Sequence, residues 1–454
     1  MQNHYRISVL AAALAGASAL PAQAQDVTIS AQELAQMRAQ LQAMDARISQ
    51  LEAELDQAET RIEAQEAAPA PAPAAPPAPE RSDSIAFKGA PEIKAKGGWS
   101  FKPRGRLMYD AGFTNAPEST GRDDGFGNEV RRARLGVSGD MPGGFGYKFE
   151  FDFAGNEVDV NDAIITYEDG DLEVAVGHHN NFQSLEELTS SLHTTFIERA
   201  AFTDAFGFQR RIGASLAYNG DLIIAQGGVF TDNFDETGSN NVGFSGRLVA
   251  MPKLGKAQAH VGASVHFNDL GTPGATVRYR QRPLVHFTSE RFVNTGNLAA
   301  NSEFGFGIEA ALVSGPFHAA AEGAWQKVNR PGALADPTFF GGYAEAGVFL
   351  TKGDSRGYKG GKFDRVKPQN PVGEGGMGSV QFNLRYDYLD LNDAGIVGGQ
   401  QNGFLASLIW KPTDYTLFAV NYGKLAYEDA VHPAAGGDTS YSVDSFGIRA
   451  QVDF

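Results

Sequence analysis

The sequence predicts an all-β transmembrane barrel of about 16 antiparallel strands, preceded by an N-terminal α-helical coiled coil. Apolar and polar residues alternate through many segments of roughly ten residues, which is typical of strands that face lipid on one side. A separate heptad repeat of apolar residues covers residues 31–66, which is typical of helices that pack on other helices. The N-terminus carries the features of an export signal.

Residues 1–24 are predicted to be a signal peptide. Arg6 precedes the apolar stretch ISVLAAALAGASAL, and Ala22 and Ala24 form an A-x-A cleavage pattern. The alternative is a short membrane anchor, but the apolar stretch is shorter than the roughly 20 residues that a spanning helix needs. We therefore expect an exported chain that begins near Gln25.

Residues 25–66 are predicted to form a periplasmic coiled coil. Its heptad seam consists of Leu34, Met37, Leu41, Met44, Ile48, Leu51, Leu55, Ala58 and Ile62. One helix cannot bury such a seam alone, so we expect self-association; packing of the helix on its own protein is the alternative. The Ala/Pro-rich residues 67–84 predict an extended linker between this helix and the rest of the chain.

Residues 85–454 are predicted to form the barrel. In YKFEFDF, Phe149 and Phe151 alternate with Glu150 and Asp152, and the chain ends on a similar strand that closes with Phe454. A soluble β-sandwich also alternates, but the pattern continues too long for one sandwich, and aromatic residues cluster at segment ends as interface girdles do. With a signal peptide and a C-terminal aromatic strand, we expect the outer membrane of a Gram-negative bacterium, where a closed barrel leaves no strand edge in lipid.

Composition and motifs exclude several classes of protein. The chain has no cysteine and a formal net charge of −16, which excludes thiolate metal sites and argues against nucleic acid as a partner. No G-x-S-x-G nucleophile motif occurs. His178 and His179 are adjacent, so on a strand they would point to opposite faces and could not clamp a metal ion. We therefore predict no enzyme activity, no metal and no cofactor.

Arginines recur with the two-residue spacing of a strand face. In TVRYRQRP the spacing would align three guanidinium groups, and two shorter pairs occur earlier in the chain. Because arginine is costly in lipid, these side chains should face the lumen or lie beyond the membrane, and rings of arginine favour anions in pores. There are two alternatives. The arginines could be part of the mixed charged lining that any wide barrel has, or they could bind lipopolysaccharide phosphates outside the pore. The candidate anion path is Arg104, Arg106, Arg132, Arg134, Arg278, Arg280 and Arg282.

Several stretches resemble the phosphate-selective porin O/P family. They are RRARLG at 131–136, YKFEFDFA at 147–154, Asp162-Ala163, SLE at 184–186, LTSS at 188–191, Glu198-Arg199, RRIGASLAYNGD, and VRYRQRP with RFVNTGNL. The resemblance covers most of residues 90–454. It implies a homotrimer of 16-stranded barrels, each with an inward-folded constriction loop and an arginine ladder that draws anions toward a constriction lysine.

One departure from the family pattern concerns the constriction. The family typically has Gly-Gln-x-Lys-Glu-Pro-Phe, whereas this chain has GHHNNFQ at 177–183, with Asn180 where the lysine is expected. A neutral amide cannot supply that charge, although His178 could be partly protonated near pH 6.5. Asn180, His178 and Asp152 are the constriction candidates. We expect moderate and broad anion preference, with small anions such as phosphate passing by diffusion.

Two other functions are compatible with the sequence. The coiled coil could bind the cell wall, with the barrel as a membrane anchor only. The barrel could also be a general or sugar porin with little charge selectivity. The predicted partners are other copies of the chain, outer-membrane lipid and lipopolysaccharide, small anions and, through the coiled coil, the cell wall.

Overall fold

The computed structural model describes residues 84–155, 157–231, 240–272 and 274–454, and residues 42, 43, 46, 47, 49, 50, 53, 54 and 57 of an N-terminal helix. The chain divides into two compact units, residues 1–80 and 81–454. In the first unit, Arg47 donates to Gln50 and Gln50 to Glu54, at 2.8 and 3.1 Å. The predicted signal peptide, heptad seam and linker up to residue 83 lie outside the described residues. Among those that are described, no helix is long and apolar enough to cross a membrane.

Within the described part of the second unit, sixteen antiparallel strands close into a barrel. Each strand pairs with the next, and the last pairs with the first from Asp444↔Asn115 to Asp453↔Arg106. The strands are β1 Trp99–Asn115, β2 Gly125–Met141, β3 Phe145–Asp152, β4 Asp159–Asp169, β5 Leu172–Asn180, β6 Arg210–Asn219, β7 Ile223–Phe230, β8 Val242–Ala250, β9 Ala257–Asp269, β10 Ser302–Ser314, β11 Phe317–Asn329, β12 Thr338–Phe349, β13 Ser379–Asp393, β14 Ile396–Thr413, β15 Thr416–Glu428 and β16 Tyr441–Asp453.

Apolar and polar residues of the strands face the outside and the inside of the barrel, as the sequence predicts. On β3, Phe149 and Phe151 are 40% and 39% exposed on the outer wall, whereas Glu150 between them is 3% exposed and faces the interior. This is the reverse of a soluble sandwich, in which the apolar face is buried. The barrel prediction is therefore confirmed, and the sandwich alternative is wrong.

The two ends of the barrel differ in their connections. At the short-turn end the strands are joined by residues 142–144, 170–171, 220–222, 251–256, 315–316 and 414–415, and by one long connection, residues 350–378. At the long-loop end most connections are longer: residues 116–124, 153–158, 181–209, 231–241, 270–301, 330–337, 394–395 and 429–440.

Three long connections carry structure of their own. Residues 181–209, the constriction loop, contain helices α1 Leu185–Leu188 and α2 Ala201–Ala205. Residues 270–301, the arginine loop, contain the short strand pairs Thr276–Val277 with Leu298–Ala299 and Arg280–Gln281 with Val293–Asn294. Residues 350–378, the basic loop, contain the hairpin Gly357–Lys359 and Lys362–Asp364. Outside the barrel strands lie Ser84–Lys88, Ala90–Ala95, Lys253–Leu254 and the 3-10 turns Glu118–Thr120 and Ala435–Gly437.

The apolar core lies inside the barrel, where the constriction and arginine loops pack on each other and on the wall. Phe206 of the constriction loop meets Tyr279 of the arginine loop edge to face at 5.9 Å, and Tyr279 meets Phe339 of β12 at 5.4 Å. Phe202 stacks on Tyr343 of β12 at 6.3 Å. These rings are almost fully buried. The two loops are therefore packed firmly against one side of the barrel wall and occupy part of the lumen.

The seam between β1 and β16 depends on two glycines that face each other, Gly112 and Gly447. A Cβ at Gly112 would lie 2.0 Å from the Phe446 carbonyl oxygen, which is backbone and cannot move aside. We predict that Gly112→Ala lowers the free energy of unfolding by about 1–3 kcal/mol, because the seam must shift to admit the methyl group. Urea titration of the detergent-solubilised protein, followed by heat-modifiable gel mobility, measures this loss.

The matched control is Gly227→Ala on β7, where the nearest atom, the Ser245 carbonyl oxygen, lies 4.0 Å from the added Cβ. We expect this variant to unfold close to the wild-type midpoint. Equal midpoints for the two variants would show that close approach at Gly112 does not limit closure of the seam.

Candidate functional site

A β-bulge directs three arginines of β2 into the lumen. Met108 on β1 pairs with Arg132 and Tyr109 pairs with Val130, so Arg131 has no partner in the register. A bulge of this kind re-aims side chains. Arg131 therefore reaches the constriction loop, where its Nε and Nη2 donate to Glu198 at 2.7 and 3.1 Å. Strict alternation would have placed Arg131 in lipid, and sequence reasoning missed it for that reason.

Two cavities occupy the lumen and share part of their lining. The outer cavity, toward the long-loop end, has a volume of about 480 Å³. The inner cavity, toward the short-turn end, has a volume of about 690 Å³. The residues common to both define the eyelet of the barrel: Arg132, Arg134, Glu187, Arg199 and Arg210.

Most arginines of the eyelet are already paired with acceptors. Arg134 donates to Asp152 at 2.6 Å and to Glu150 at 3.2 Å. Arg210 donates from Nε to Asp162 at 2.8 Å. Such pairing neutralises much of their charge, and removal of one partner would leave a buried ion uncompensated.

Arg199 is the arginine of the constriction loop. It donates to the carbonyl oxygens of Glu186, Glu187 and Thr189 at 2.8 to 3.1 Å, and it approaches the Glu187 carboxylate at 3.4 Å. Its guanidinium thus joins the second half of the constriction loop to residues 186–189 of the first half, beside the lumen.

Arg132 is different from the other eyelet arginines. It is only 7% exposed, its Nη1 contacts the Met108 sulfur at 3.8 Å, and its Nε has no hydrogen-bond partner. No carboxylate among the described residues lies within salt-bridge distance of it. Glu198 attracts Arg132, but this carboxylate is hydrogen-bonded to Arg131. The buried guanidinium of Arg132 is therefore only partly compensated, which is costly, and an anion bound in the eyelet would stabilise it.

Buried carboxylates of the wall fix the constriction loop. Glu322 on β11 accepts hydrogen bonds from the backbone nitrogens of Leu185 and Glu186 at 2.9 and 2.7 Å, at the N-terminus of α1. Asp387 on β13 accepts from the nitrogen of Ala201, the N-cap side of α2, at 2.9 Å. The first turn of a helix leaves such donors unpaired, and carboxylates are favourable there.

The carboxylates of the constriction loop differ in their environments. Burial raises the pKa of Glu187, and nearby Arg199 offsets this effect only in part. Burial would also raise the pKa of Glu198, but Arg131 and then Arg132 outweigh it and hold the pKa well below the usual range. Glu198 therefore stays ionised, whereas Glu187 takes up a proton first as the pH falls.

The basic loop crosses the lumen at the short-turn end. On one wall the Tyr358 hydroxyl lies 2.6 Å from His260 Nδ1, and the Gly361 carbonyl accepts from Arg247 at 2.8 Å. On the opposite wall Arg365 pairs with Asp453. The loop is thus held at both sides of the barrel.

The inner cavity is strongly basic. Its acidic lining is Glu150, Glu187, Asp364, Asp414 and Asp453. Its basic lining is Lys102, Arg104, Arg106, Lys148, Arg199, Arg210, Lys359, Lys362, Arg365 and Lys367, with Arg132 and Arg134 at the eyelet. The outer cavity is nearly balanced, with Asp152, Asp159, Glu187, Glu198 and Asp204 opposite Arg131, Arg132, Arg134, Arg199, Arg210 and Arg282.

The structure brings most of the predicted residues together. Arg104, Arg106 and Asn180 line the inner cavity, His178 and Asp152 line the outer cavity, and Arg132 and Arg134 line both. Arg106 donates to Ser191 of the constriction loop at 3.0 Å and to Glu150 at 3.1 Å. Asn180 pairs in register with Arg210.

The three arginines of TVRYRQRP do not lie on a barrel strand. They belong to the arginine loop, where only residues 276–277 and 280–281 are extended and pair within the loop. Arg278 and Arg280 are exposed, and only Arg282 lines the outer cavity. The alternation persists because Tyr279 and Gln281 are buried. Burial and then the nearby Arg282, Arg280 and Arg278 lower the pKa of Arg291 to about 10, so the four form one basic cluster.

Sequence reasoning missed the basic loop and three eyelet residues, Glu187, Arg199 and Arg210. KGGK at 359–362 carries a Gly-Gly hairpin signal between lysines, and Arg210-Arg211 repeats the doublet of β2. Neither pattern reveals that a connection folds inward. Among the described residues, no group of histidine and acidic side chains is placed to hold a metal ion.

Comparison with known proteins agrees with this architecture. The profile of phosphate-selective porin O and P matches residues 101–454. The chain belongs to the phosphate-selective porin O and P family. This porin is also 46% identical over 383 residues to an uncharacterized protein of Caulobacter vibrioides, covering 82% of this chain and 77% of the relative.

Solved porins share the fold of this porin. OmpT of Vibrio cholerae, in its trimer form, superposes with a TM-score of 0.51 at 12% identity, covering 79% of this chain and all of the other. An anion-selective porin from Comamonas acidovorans gives a TM-score of 0.51 at 14% identity, with 78% of this chain and all of the other covered.

The anchoring of the constriction loop yields a prediction. Glu322→Leu would leave the nitrogens of Leu185 and Glu186 without acceptors in a buried place, at a cost of about 1–3 kcal/mol for each orphaned group. We expect a mobile constriction loop, visible as increased open-channel current noise in single-channel recordings.

The comparison variant is Glu303→Leu, on the neighbouring strand β10, whose carboxylate accepts from the Tyr279 hydroxyl of the arginine loop. Its noise should stay near wild type if α1 is the element that limits the pore. Wild-type noise in Glu322→Leu would contradict the assignment of Glu322 as the anchor.

Proposed function

We propose that this porin lets small anions diffuse across the outer membrane, with a moderate and broad preference rather than strict selectivity for phosphate. The observation that carries the proposal is Arg132, a buried guanidinium without a carboxylate partner at the junction of the two cavities. Guanidinium groups bind phosphate and carboxylate through two parallel hydrogen bonds. Arg132 is therefore the eyelet group best suited to take up a passing anion.

The charges on both sides of the eyelet define a path. Arg278, Arg280 and Arg282 form a basic cluster on the arginine loop at the long-loop end and raise the local anion concentration. Arg132 then receives the anion in the eyelet. In the inner cavity Lys359, Lys362 and other cations exceed the carboxylates, so the anion moves between several sites of similar strength, which conduction requires.

The same geometry explains why we propose only moderate selectivity. Arg134 and Arg210 are held by Asp152, Glu150 and Asp162. Asn180 contributes no charge. A cation can therefore find carboxylates along the wall, and the anion preference depends on the few cations without partners.

The known relatives support this proposal without deciding it. The family is described as phosphate-selective, and the Comamonas acidovorans protein is an anion-selective porin. A pure membrane anchor would not need two cavities that meet at a charged eyelet, and a sugar porin would not need an excess of basic groups. The cell-wall tether is a separate proposal, because it depends on the coiled coil.

We also propose the placement of the barrel. Outer-membrane barrels have short periplasmic turns and longer external loops, so the short-turn end faces the periplasm, together with the N-terminal segment. The aromatic outer wall faces lipid, and the external basic residues contact lipopolysaccharide. The proposed assembly is a homotrimer, by analogy with the trimer form of Vibrio cholerae OmpT.

The test is ion selectivity in a planar bilayer under a KCl gradient. We predict that Arg132→Gln lowers the anion-to-cation permeability ratio several-fold, on the order of threefold to tenfold, because the eyelet loses its unpaired charge. The matched control is Lys253→Gln with Lys256→Gln, which removes two exposed cations of a short turn outside both cavities and should change the ratio little. Folding is verified by gel mobility, and an unchanged ratio in a folded Arg132→Gln channel would overturn the proposal.

A second prediction concerns pH. Because burial raises the pKa of Glu187, this eyelet carboxylate takes up its proton at a higher pH than an unperturbed glutamate does. The eyelet then becomes more positive, so anion selectivity should rise between pH 7.5 and pH 5, as measured by reversal potential.

Glu187→Gln tests whether this effect belongs to Glu187, which lines both cavities. At pH 7.5 this variant should already show the higher selectivity, and its pH dependence should be smaller than that of the wild type. A pH response identical to wild type would show that Glu187 does not titrate in this range.

A further inference from the structure

A β-hairpin outside the sixteen barrel strands extends the wall at the seam. Strands Ser84–Lys88 and Ala90–Ala95 pair with each other, and Ala90–Ala95 pairs with the start of β1 from Ala95↔Trp99 to Ile93↔Phe101. This stretch of β1 has no other partner on that side, because β16 ends at Asp453, opposite Arg106. The hairpin therefore occupies the position beside the start of β1 that β16 is too short to reach.

One face of the hairpin is apolar and exposed. Ile85 pairs with Ile93, and Phe87 with Pro91, so all four lie on the same face. Ile85, Phe87 and Ile93 are 64%, 78% and 40% exposed. The other face carries Glu92, which lines a polar recess with Ser100 and Lys102. The hairpin thus repeats the apolar-outside pattern of the barrel wall.

The apolar face is continuous with the lipid-facing wall at the level of its aromatic residues. Ile93 is opposite Phe101, which lies on the outer face of β1. The Tyr147 hydroxyl of β3 donates to the Ser100 carbonyl at 3.3 Å. At the tip of the hairpin, a Cβ on Gly89 would lie 2.6 Å from the Tyr415 ring and 3.0 Å from Phe454, so the hairpin is seated against the C-terminus. Trp99, at its base, is 52% exposed.

We propose that this hairpin binds phospholipid, with its apolar face at the boundary between headgroups and acyl chains of the leaflet at the short-turn end. Strand Ser84–Lys88 pairs on one side only among the described residues. The hydrocarbon core does not tolerate such an open edge, whereas hydrated headgroups can satisfy it. Tryptophan and tyrosine are enriched at the same depth. Residue 84, where the predicted linker ends, is then held at the membrane surface.

Lipid is favoured over a second copy of the chain because this face carries only apolar side chains and continues the belt of the barrel. A protein interface of this kind would be expected to have a polar rim around an apolar centre. Whether a second copy covers this face instead is decided by the test below.

The test uses a tryptophan at Phe87 as a depth probe. The native tryptophans are replaced (Trp99→Phe, Trp325→Phe and Trp410→Phe), and Phe87→Trp is compared with Ala86→Trp, which lies on the opposite face of the same strand. Both proteins are reconstituted in phosphatidylcholine vesicles with bromine at shallow or deep acyl positions. We expect about twofold quenching of Phe87→Trp by the shallow label, less by the deep label, and little quenching of Ala86→Trp.

Each other outcome overturns the proposal. Quenching of Phe87→Trp by iodide but not by bromolipid would place the face in water. Protection from both quenchers would mean that protein, such as a second copy, covers it. Equal bromolipid quenching at positions 86 and 87 would show that the hairpin is not seated as described, and gel mobility confirms that both variants contain a closed barrel.

Discussion

The pore depends on buried carboxylates that accept hydrogen bonds from the backbone of the constriction loop. Glu322 and Asp387 stand on two wall strands and take the donors that short helices leave unpaired. Arg385 adds a buried bridge between Glu186 of the loop and Glu345 of the wall. Together with the aromatic packing of Phe202 and Phe206, these contacts hold the connection from residue 181 to 209 inside the lumen, where it forms the eyelet.

Once the loop is fixed, the distribution of paired and unpaired cations determines the chemistry of the pore. Glu198 joins Arg131 to the loop and lies 3.6 Å from Arg449, which binds Asp110 across the seam of the barrel. Closure of the barrel and position of the loop are thus coupled through one buried network. These arginines serve the structure, whereas Arg132 in the eyelet and the lysines of the inner cavity are the groups proposed to meet a solute.

The sequence was sufficient to predict the barrel, because in a membrane wall apolar residues face lipid and polar residues face the lumen. It placed Glu150 and Asp152 inside and Phe149 and Phe151 outside. It could not reveal Arg131, since a bulge breaks the period of two, or the inward course of the basic loop, since turn signals at KGGK do not specify direction. The alternation of exposed arginines with buried residues in TVRYRQRP was predicted correctly. The sequence could not show that this segment pairs within a loop rather than in the barrel wall, because that depends on the packing of Tyr279 against other parts of the chain.

The most direct measurement is a crystal structure of this porin soaked in bromide, with anomalous scattering used to locate the anion. We predict a bromide peak within hydrogen-bonding distance of the Arg132 guanidinium and further peaks among the lysines of the inner cavity. Bromide found only at the exposed Arg278 and Arg280, with none in the eyelet, would contradict the proposed anion path, because the arginines of the lumen would then serve structure alone.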